Sequence, residues 1–391
     1  MRSHRLRRAL GYRKFGGETP RLLVLDTGYF VVRDVLDAAG ELGWSVDSVT
    51  TPREGAGDAR FLADLMLAIA RGRPDFVLTI NHLGFDAAGV LAGVLHQYDI
   101  PTASWFVDHP LPILGGATGN ATPSCQVFCF ERTAIPWLQS QGFEAPAYLP
   151  TASNARLFRP GRVEGALVEQ LRGPVTFAGN SWWCKARVEP APWALAACRS
   201  FCRRHRVDRR ALASGLVQAL EREPSPGPRG VYALAQVVLA EASVQTRGRF
   251  ARALCPVGLR VHGDRYWERL CPGVARGDFL DYGTALPALF AASAINANVT
   301  AEQMPTAVNQ RVWDVPAVGG FLLTDAQQDA LEFFVEDEEI VVYRDLEECA
   351  DKARHYLQRP ARRAAIAQRA RVRVEARHRY THRLQQMACV M

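Results

Sequence analysis

The sequence is poor in lysine and lacks closely spaced cysteine pairs and long apolar runs. Only three of its 47 basic residues are lysines, a skew that is more plausibly genomic than functional. Its nine cysteines, an odd number with no CxxC pair, favour reduced packing residues over a disulfide framework. Apolar runs such as 231–240 are far shorter than the roughly 20 residues that cross a bilayer, so no membrane span is predicted.

Metal-binding and export patterns are also weak. Cys198, Cys202 and His205 stand one helical turn apart, as do His378 and His382, but neither group has neighbours that complete four ligands. No metal is therefore predicted. The basic residues 1–14 continue into glycines and a proline without an apolar stretch of signal-peptide length, so a cytoplasmic location is expected.

Length and charge limit the class of protein. A chain of 391 residues with a hydrophobic fraction of 48% predicts two or three folded domains. Residues 1–20 carry six basic and one acidic side chain and residues 361–391 carry eight and one, so the remainder of the +7 chain sums to −5. The basic ends favour solvated surfaces, or contact with phosphates, a membrane surface or an acidic neighbour, whereas nucleic-acid binding is not expected.

Short apolar runs alternate with helical patterns along the first 150 residues. Strands are predicted at 21–26, 44–49, 75–80, 102–107, 127–130 and 147–149, and helices at 31–43, 61–71, 85–97 and 133–142. Strands separated by helices pair in parallel through right-handed crossovers. The sequence therefore predicts a basic tail at 1–20, a doubly wound Rossmann-like domain at 21–150 and a linker at 151–160.

The alternation continues after the linker. Strands are predicted at 174–179, 257–262, 294–298, 321–324 and 340–343, and helices at 286–291, 307–317, 327–333 and 346–358. A second Rossmann-like domain thus covers 161–360, with a helical insertion at about 190–253 and C-terminal basic helices at 361–391. Ligands of such sheets lie outside the carboxyl ends of the strands, so two sheets in tandem predict a crevice between two domains.

In the first domain, polar residues follow three predicted strands: Asp26 to Gly28, Asn81 with His82, and Asp108 with His109. Asp108 and His109 are the best general-base candidates, because an imidazole titrates near neutrality and a neighbouring carboxylate can hold or replace it. Asp108 is equally suited to capping the turn before Pro110. Gly28 and His82 are expected on the acceptor side, although His82 can also simply close a turn.

In the second domain, Gly179, Asn180 and Ser181 form a small-residue turn, followed by Lys185. Such a turn followed by a cation can hold a diphosphate without a metal. The candidates further along the chain are Thr306, Asn309, Arg311, Asp314, Gly319 and Gly320. The predicted helix 307–317 would direct its N-terminus at the same ligand. Trp182 and Trp183 suit stacking on a base or sugar as well as they suit packing.

These residues carry a resemblance to a family. The strings INAN (295–298), NQRVWDVPAVGGFLLTD (309–325) and EEIVVYRD (338–345) resemble the CgeB-type (spore maturation protein) glycosyltransferases, and WFVDHP (105–110) is similar to the N-terminal domain that often accompanies them. The similarity covers roughly 21–385. It implies the GT-B fold: two Rossmann-like domains facing a cleft, a nucleotide sugar held mainly by the second domain, and a C-terminal helix that crosses back to the first.

The resemblance implies roles for individual residues. Many retaining GT-B enzymes have two glutamates eight positions apart, the second near the donor ribose. Asp314 matches the second, whereas Thr306 stands where the first would be, so the stereochemistry stays open. Lys185 corresponds to the cation after the first glycine turn of the second domain. Related sequences have Asp-Asn-Pro at positions 108–110, which favours Asp108 as the base and His109 as an auxiliary.

The sequence therefore predicts a metal-independent glycosyltransferase without a cofactor. It would move a sugar from a nucleotide-diphosphate sugar to an acceptor hydroxyl on a glycan, a protein or a lipid-linked saccharide, in cell-surface glycan synthesis or protein glycosylation. Two alternatives remain at this point: a nucleotide-sugar epimerase or hydrolase, and a binding or assembly subunit that has lost its chemistry. The oligomeric state, the sugar, the base and the acceptor do not follow from the sequence.

Overall fold

The chain folds into two compact units. The computed structural model describes residues 7–52, 59–161, 165–205, 207, 215–223 and 230–391. One unit comprises Met1–Thr151 with Tyr380–Met391, and the other comprises Ala152–Arg379. Parts of the predicted basic tail, both predicted domains and the helical insertion lie outside the described residues: 1–6, 53–58, 162–164, 206, 208–214 and 224–229.

The first unit is built on a six-stranded parallel sheet. Its strands are β1 (Arg21–Asp26), β2 (Ser45–Thr50), β3 (Phe76–Ile80), β4 (Thr102–Phe106), β5 (Cys125–Cys129) and β6 (Ala147–Tyr148), in the order β2-β1-β3-β4-β5-β6. Its helices are α1 (Phe30–Glu41), α2 (Ala59–Gly72), α3 (Val90–Gln97), α4 (Pro110–Leu114) and α5 (Ile135–Ser140). β3 and β4 are buried along their whole length, as strands covered on both faces must be.

The second unit has the same architecture. Its strands are β7 (Gly173–Ala178), β8 (Leu259–His262), β9 (Ala275–Gly277), β10 (Ser293–Ala297), β11 (Leu322–Asp325) and β12 (Val341–Tyr343), all parallel in the order β12-β11-β10-β7-β8-β9. The helices before β10 are α6 (Ala166–Leu171), α7 (Trp183–Arg187), α8 (Pro192–Arg204), α9 (Leu216–Leu220), α10 (Gly230–Leu254), α11 (Trp267–Leu270) and α12 (Ala285–Ala292).

The remaining helices complete both units. They are α13 (Arg311–Ala317), α14 (Gln328–Phe333), α15 (Leu346–Leu357), α16 (Pro360–Arg377) and α17 (Tyr380–Val390). α17 belongs to the first unit, whereas α16 belongs to the second. The predicted basic segment 361–391 is thus divided between the units.

Helices cover both faces of the second sheet. Leu322 and Leu323 are neighbours on β11 but belong to different apolar clusters, and the same holds for Val341 and Val342 on β12. Successive side chains of a strand point to opposite faces, so the two clusters lie on opposite faces of the sheet. The predicted doubly wound α/β architecture is confirmed for both sheets.

Two helices begin later than the sequence predicts. The helix predicted at 85–97 begins at Val90, because Gly89 adopts a left-handed backbone conformation directly before it and the Asp86 carboxylate accepts hydrogen bonds from the N–H groups of Val90 and Leu91. The helix predicted at 307–317 begins at Arg311. The Gln327 side chain donates hydrogen bonds to the carbonyls of Met304 and Ala307, so tertiary contacts use backbone groups that an earlier helix start would require.

In the described part of the chain, no helix combines the length and apolar character needed to cross a membrane.

Candidate functional site

Both sheets reverse their strand order at one point, and ligands of doubly wound sheets bind outside the carboxyl ends of the strands at such points. In the first sheet the reversal lies between β1 and β3, and in the second it lies between β7 and β10. The predicted residues that follow these strands therefore lie where sheets of this kind bind their ligands.

The turn after β7 lies very close to the turn after β8. A Cβ atom at Gly263 would be 2.2 Å from the Gly179 carbonyl oxygen, which also accepts a hydrogen bond of 2.8 Å from Trp267 Nε1. Asn180 is exposed, whereas Ser181 is buried. The close approach requires glycine at position 263, a feature that the sequence analysis did not identify.

The amides of the predicted anion-binding turn are largely occupied within the unit. Ser181 donates its backbone N–H and its hydroxyl to the two carboxylate oxygens of Asp264, at 2.7 Å each. The Gly179 N–H donates to the His262 carbonyl at 2.8 Å. These two N–H groups hold the turn in place and are therefore not free to donate to a phosphate.

Cationic side chains lie next to this turn. Lys185 is exposed on α7, with its ammonium nitrogen 4.8 Å from the centre of the Trp182 ring. Arg187, two residues further along the chain, is neutralised by Glu241 through hydrogen bonds of 2.6 and 2.8 Å. Lys185 therefore stays available to a ligand, whereas Arg187 has a structural partner.

Arg311 lies at the start of α13, next to the turn after β10. Its Nε donates to Asn298 Oδ1 at 2.8 Å, and its guanidinium lies 4.8 Å from the centre of the Phe177 ring on β7. Asn309 Nδ2 donates to the same Asn298 oxygen, and Asn309 Oδ1 accepts from the Arg311 N–H. Burial lowers the pKa of Arg311 to about 10, against the opposing effect of Asp325 and Asp314.

Arg247 on α10 is a second buried cation, which the sequence analysis did not identify. It is only 5% exposed, and its Nε and Nη1 have no hydrogen-bond partner among the described residues. Its guanidinium lies 5.4 Å from the centre of the Phe177 ring and 5.7 Å from that of Trp182. Burial, and then the positive charge of Arg311, lower the pKa of Arg247 well below its usual value.

A signal for Arg247 was present in the sequence. Ala240, Val244, Ala251 and Leu254 are buried on α10, and Arg247 falls at the same three-to-four-residue spacing. An arginine on the apolar face of a helix needs a reason, because an isolated buried charge is costly.

Arg247 and Arg311 together concentrate positive charge beside β7. Both contact the Phe177 ring, and neither makes a salt bridge with any carboxylate in the described ranges. Two poorly hydrated cations close together are unfavourable, and the nearby carboxylates of Asp264, Asp314 and Asp325 offset that cost only in part. A ligand with two negative charges removes that penalty, and a diphosphate has the appropriate charge.

Asp314 and Thr306 do not lie as the sequence analysis expects. Asp314 is 1% exposed, and its carboxylate accepts hydrogen bonds from the Ser153 hydroxyl at 2.9 Å, Gln310 Nε2 at 3.2 Å and the Tyr282 hydroxyl at 3.4 Å. It ties the segment after Thr151 to α13. Thr306 lies in the loop before α13, five residues from the helix start.

Local backbone geometry explains why positions 319 and 320 are glycines. Gly319 adopts a φ of 82° at the end of α13, where its N–H donates to the Pro316 carbonyl. A Cβ atom at Gly320 would lie 2.6 Å from the Phe290 carbonyl oxygen. These contacts account for both glycines without a ligand, and their donor-binding role stays a prediction.

In the first unit, Asp108 is held by two neighbours. Tyr29 donates its hydroxyl to Asp108 Oδ2 at 2.6 Å, and Asn81 Nδ2 donates to the same oxygen at 2.9 Å. Asn81 Oδ1 in turn accepts from the N–H groups of Val107 and Asp108. Burial and the negative charge of Asp108 raise the pKa of Tyr29, so its hydroxyl stays a donor. Gly28, just before Tyr29, has a φ of 72° that favours glycine.

The two predicted histidines are buried. His109 is 3% exposed, and its Nδ1 accepts a hydrogen bond from the Leu111 N–H at the start of α4. His82 is 6% exposed, with Nδ1 2.8 Å from the Ser104 hydroxyl and its ring against Phe85 and Phe106. Burial lowers the pKa of each to about 4, so both are neutral at pH 7.

The C-terminal part of the chain matches a known protein family. Residues 245–388, which include Arg247, Arg311 and Asp314, match the family model described as glycosyl transferase-like. The chain carries a glycosyltransferase domain. No curated protein matches the sequence significantly.

Solved structures of similar fold cover almost the whole chain. HepE from Anabaena, solved with UDP-glucose, is 12% identical with a TM-score of 0.58 over 95% of this chain and 99% of its own. Sucrose-phosphate synthase from Thermosynechococcus elongatus is 13% identical with a TM-score of 0.53 over 95% and 98%. BGT of phage T4, solved with UDP-glucose, is 6% identical with a TM-score of 0.50 over 91% and 94%. The fold is the predicted GT-B fold.

The family match supports glycosyl transfer over the epimerase, hydrolase and binding-subunit alternatives. None of these matches concerns the narrower CgeB-type family, so that resemblance stays a prediction.

Proposed function

We propose that this glycosyltransferase takes its sugar from a nucleoside diphosphate sugar whose diphosphate is bound by Arg247 and Arg311. The observation that carries the proposal is the pair of buried guanidinium groups on Phe177 without a carboxylate salt bridge in the described residues. Lys185, exposed two residues beyond the start of α7, supplies a third positive charge. UDP is the first nucleotide to test, because HepE and phage T4 BGT were solved with UDP-glucose.

The same residues suit the chemical step. When the sugar leaves, negative charge develops on the diphosphate, and pre-oriented cations stabilise it with little reorganisation. Arg311 is oriented by Asn298 and Asn309, whereas Arg247 is held among apolar and aromatic side chains. This arrangement supplies the positive charge from side chains, so the proposal requires neither a metal ion nor a cofactor.

Asp108 is the proposed base or orienting residue for the acceptor hydroxyl. Tyr29 and Asn81 both donate to Oδ2, which fixes the direction of the carboxylate. His109 is neutral at pH 7, so it would assist Asp108 only as an uncharged group. His82 and Gly28, which follow β3 and β1, would support the acceptor side through their local structure. The acceptor class proposed from the CgeB-type resemblance is a cell-surface glycan, a protein or a lipid-linked saccharide.

Replacing Arg247 with methionine tests the donor site. Methionine keeps much of the length of the side chain and removes the charge, so Arg247→Met should fold with a melting temperature equal to or above that of the wild type. The same variant should bind UDP at least about tenfold more weakly, a loss of roughly 1.4 kcal/mol. Calorimetric titration with UDP and thermal unfolding measure the two effects separately.

Arg311→Met should show the same loss of UDP affinity. Arg187→Ala is the matched control, because Glu241 already neutralises Arg187, and its UDP affinity should stay near that of the wild type. An Arg247→Met protein that is folded and binds UDP as tightly as the wild type contradicts the proposal.

A further inference from the structure

Trp182 adopts a left-handed backbone conformation, which is unusual for a bulky residue. Its φ of 68° and ψ of 0° lie in the left-handed region, which costs free energy for every residue that has a Cβ atom. The conformation is imposed from both sides: Asp264 holds Ser181, and the Trp182 carbonyl accepts the first hydrogen bond of α7 from Ala186. Glycine would adopt this conformation without the cost, so the indole needs a separate explanation.

The indole lies between an exposed cation and a buried one. It is 4.8 Å from Lys185 Nζ and 5.7 Å from the Arg247 guanidinium carbon, measured to the ring centre. It is also packed against the apolar cluster that contains Phe177. Arg247 thus has aromatic rings, Trp182 and Phe177, where a carboxylate would otherwise be expected.

Aromatic contact alters how Arg247 meets an anion. A ring attracts the guanidinium weakly through cation–π interaction and excludes water, without neutralising the charge. A phosphate that reaches a cation in a dry, low-dielectric environment is attracted more strongly than in water, and dissolved salt screens that attraction less.

We infer that Trp182 is a positioning residue for the donor: its indole shields Arg247 from water and salt, so that the guanidinium is kept poorly hydrated until a diphosphate binds. This inference rests on the proposed function and adds to it the residue that sets the environment of the cation. Trp183 does not share the role, because its ring stacks on Tyr266 and Arg187 instead.

A pair of variants separates the backbone cost from the shielding. Trp182→Gly and Trp182→Ala both remove the indole, but only glycine adopts a φ of 68° freely. The glycine variant should therefore melt roughly 2–4 °C higher than the alanine variant. Both should bind UDP less tightly than the wild type and to the same extent, because they lack the same ring.

Calorimetric titration with UDP at low and high NaCl tests whether the Trp182 indole shields Arg247. In the wild type, raising NaCl from 50 to 300 mM should change Kd by less than about threefold, because a buried pair is poorly screened. In both Trp182 variants, Kd should be at least about fivefold weaker at low salt, and the change with salt should exceed that of the wild type. Trp183→Ala is the control and should follow the wild type at both concentrations.

Several outcomes overturn the inference. Wild-type affinity in both Trp182 variants, together with a loss in Arg247→Met, refutes the role of Trp182 and leaves the proposed function intact. Weaker binding without additional salt dependence shows that the indole acts through contact and not through shielding, which also refutes it. Absence of binding of UDP and of the other nucleoside diphosphates to the wild type refutes the proposed function and the inference together.

Discussion

At the scale of single residues, burial decides the chemistry of the two histidines in the first unit. His82 and His109 follow strand ends where catalytic groups are common, yet both are buried, and burial lowers the pKa of each to about 4. A histidine with that pKa is neutral at pH 7. Neither can be a cationic acid in the resting protein, and both affect stability when the pH falls.

The pH dependence of stability follows from these pKa values. In the unfolded chain a histidine has a pKa near 6.5, so between pH 6.5 and 4 the unfolded state binds more protons than the folded state. Stability is therefore highest above pH 6.5 and falls as the pH decreases towards 4, by on the order of 1–3 kcal/mol for His82. Thermal unfolding at pH 7, 6 and 5 measures this loss.

His82→Asn should reduce that pH dependence, because asparagine does not titrate and tolerates the left-handed backbone at this position. His96→Gln, which removes an exposed imidazole, should keep the dependence of the wild type. An identical pH slope in His82→Asn and the wild type would refute the assignment.

At the scale of elements, α13 connects the candidate donor site to the segment after Thr151. Arg311 at its start contacts Phe177, and Asp314 one turn later binds Ser153. Trp313, between them, stacks on His378 at 4.7 Å. Asp314, which the sequence analysis expects at the donor ribose, is buried and links α13 to the segment after Thr151, and its ribose-binding role stays a prediction.

The two roles of Asp314 predict different results. Asp314→Ala leaves the Ser153 and Tyr282 hydroxyls without their acceptor and should cost about 1–3 kcal/mol of unfolding free energy, whereas Asp314→Asn keeps an acceptor and should cost less. Urea unfolding measures both. If the role is structural, the folded variants bind UDP within about threefold of the wild type, and a loss larger than tenfold in Asp314→Asn would restore the ribose-binding role.

Several arginines of the basic C-terminal region bind groups within their own unit. On α16, Arg369 Nε donates to the Glu338 carbonyl, Arg362 donates to the Asp337 carbonyl, and Arg373 forms a salt bridge with Glu339. These arginines hold the chain between α14 and β12. Much of the positive charge near this end therefore stabilises its own unit, which weakens the argument for a membrane or nucleic-acid partner.

At the scale of the whole molecule, the end of the chain belongs to the unit in which the chain began. On α17, Tyr380, Leu384 and Met387 are buried, and the Tyr380 ring meets Trp105 edge-on with centres 5.8 Å apart. Arg383 Nε donates to the Pro150 carbonyl at 2.9 Å. The first unit is therefore incomplete without the last 12 residues.

Deleting residues 380–391 should destabilise the first unit. Burial of three large side chains is lost, at roughly 1.5–3 kcal/mol each, so at least about 4.5 kcal/mol should be lost in total. Hydrogen exchange should accelerate in α1, against which α17 packs, and in β4. β7 and β10 in the second unit should keep their protection, and unchanged exchange in α1 would contradict the assignment of α17.

By itself, the sequence determined the repeated alternation of strand and helix, and with it two doubly wound sheets, because apolar periodicity and parallel crossovers are local or topological properties. It also proposed Asn309 and Arg311 as donor-site candidates, because their motif is contiguous, and that role stays a prediction. The tertiary structure alone decided the partner of Arg311: Arg247 lies 64 positions earlier, and only the packing of α10 against β7 brings both arginines to Phe177. It likewise decided that Asp314 is buried and that the Ser181 amide is occupied, since charge and hydrogen bonding depend on neighbours that sequence distance does not reveal.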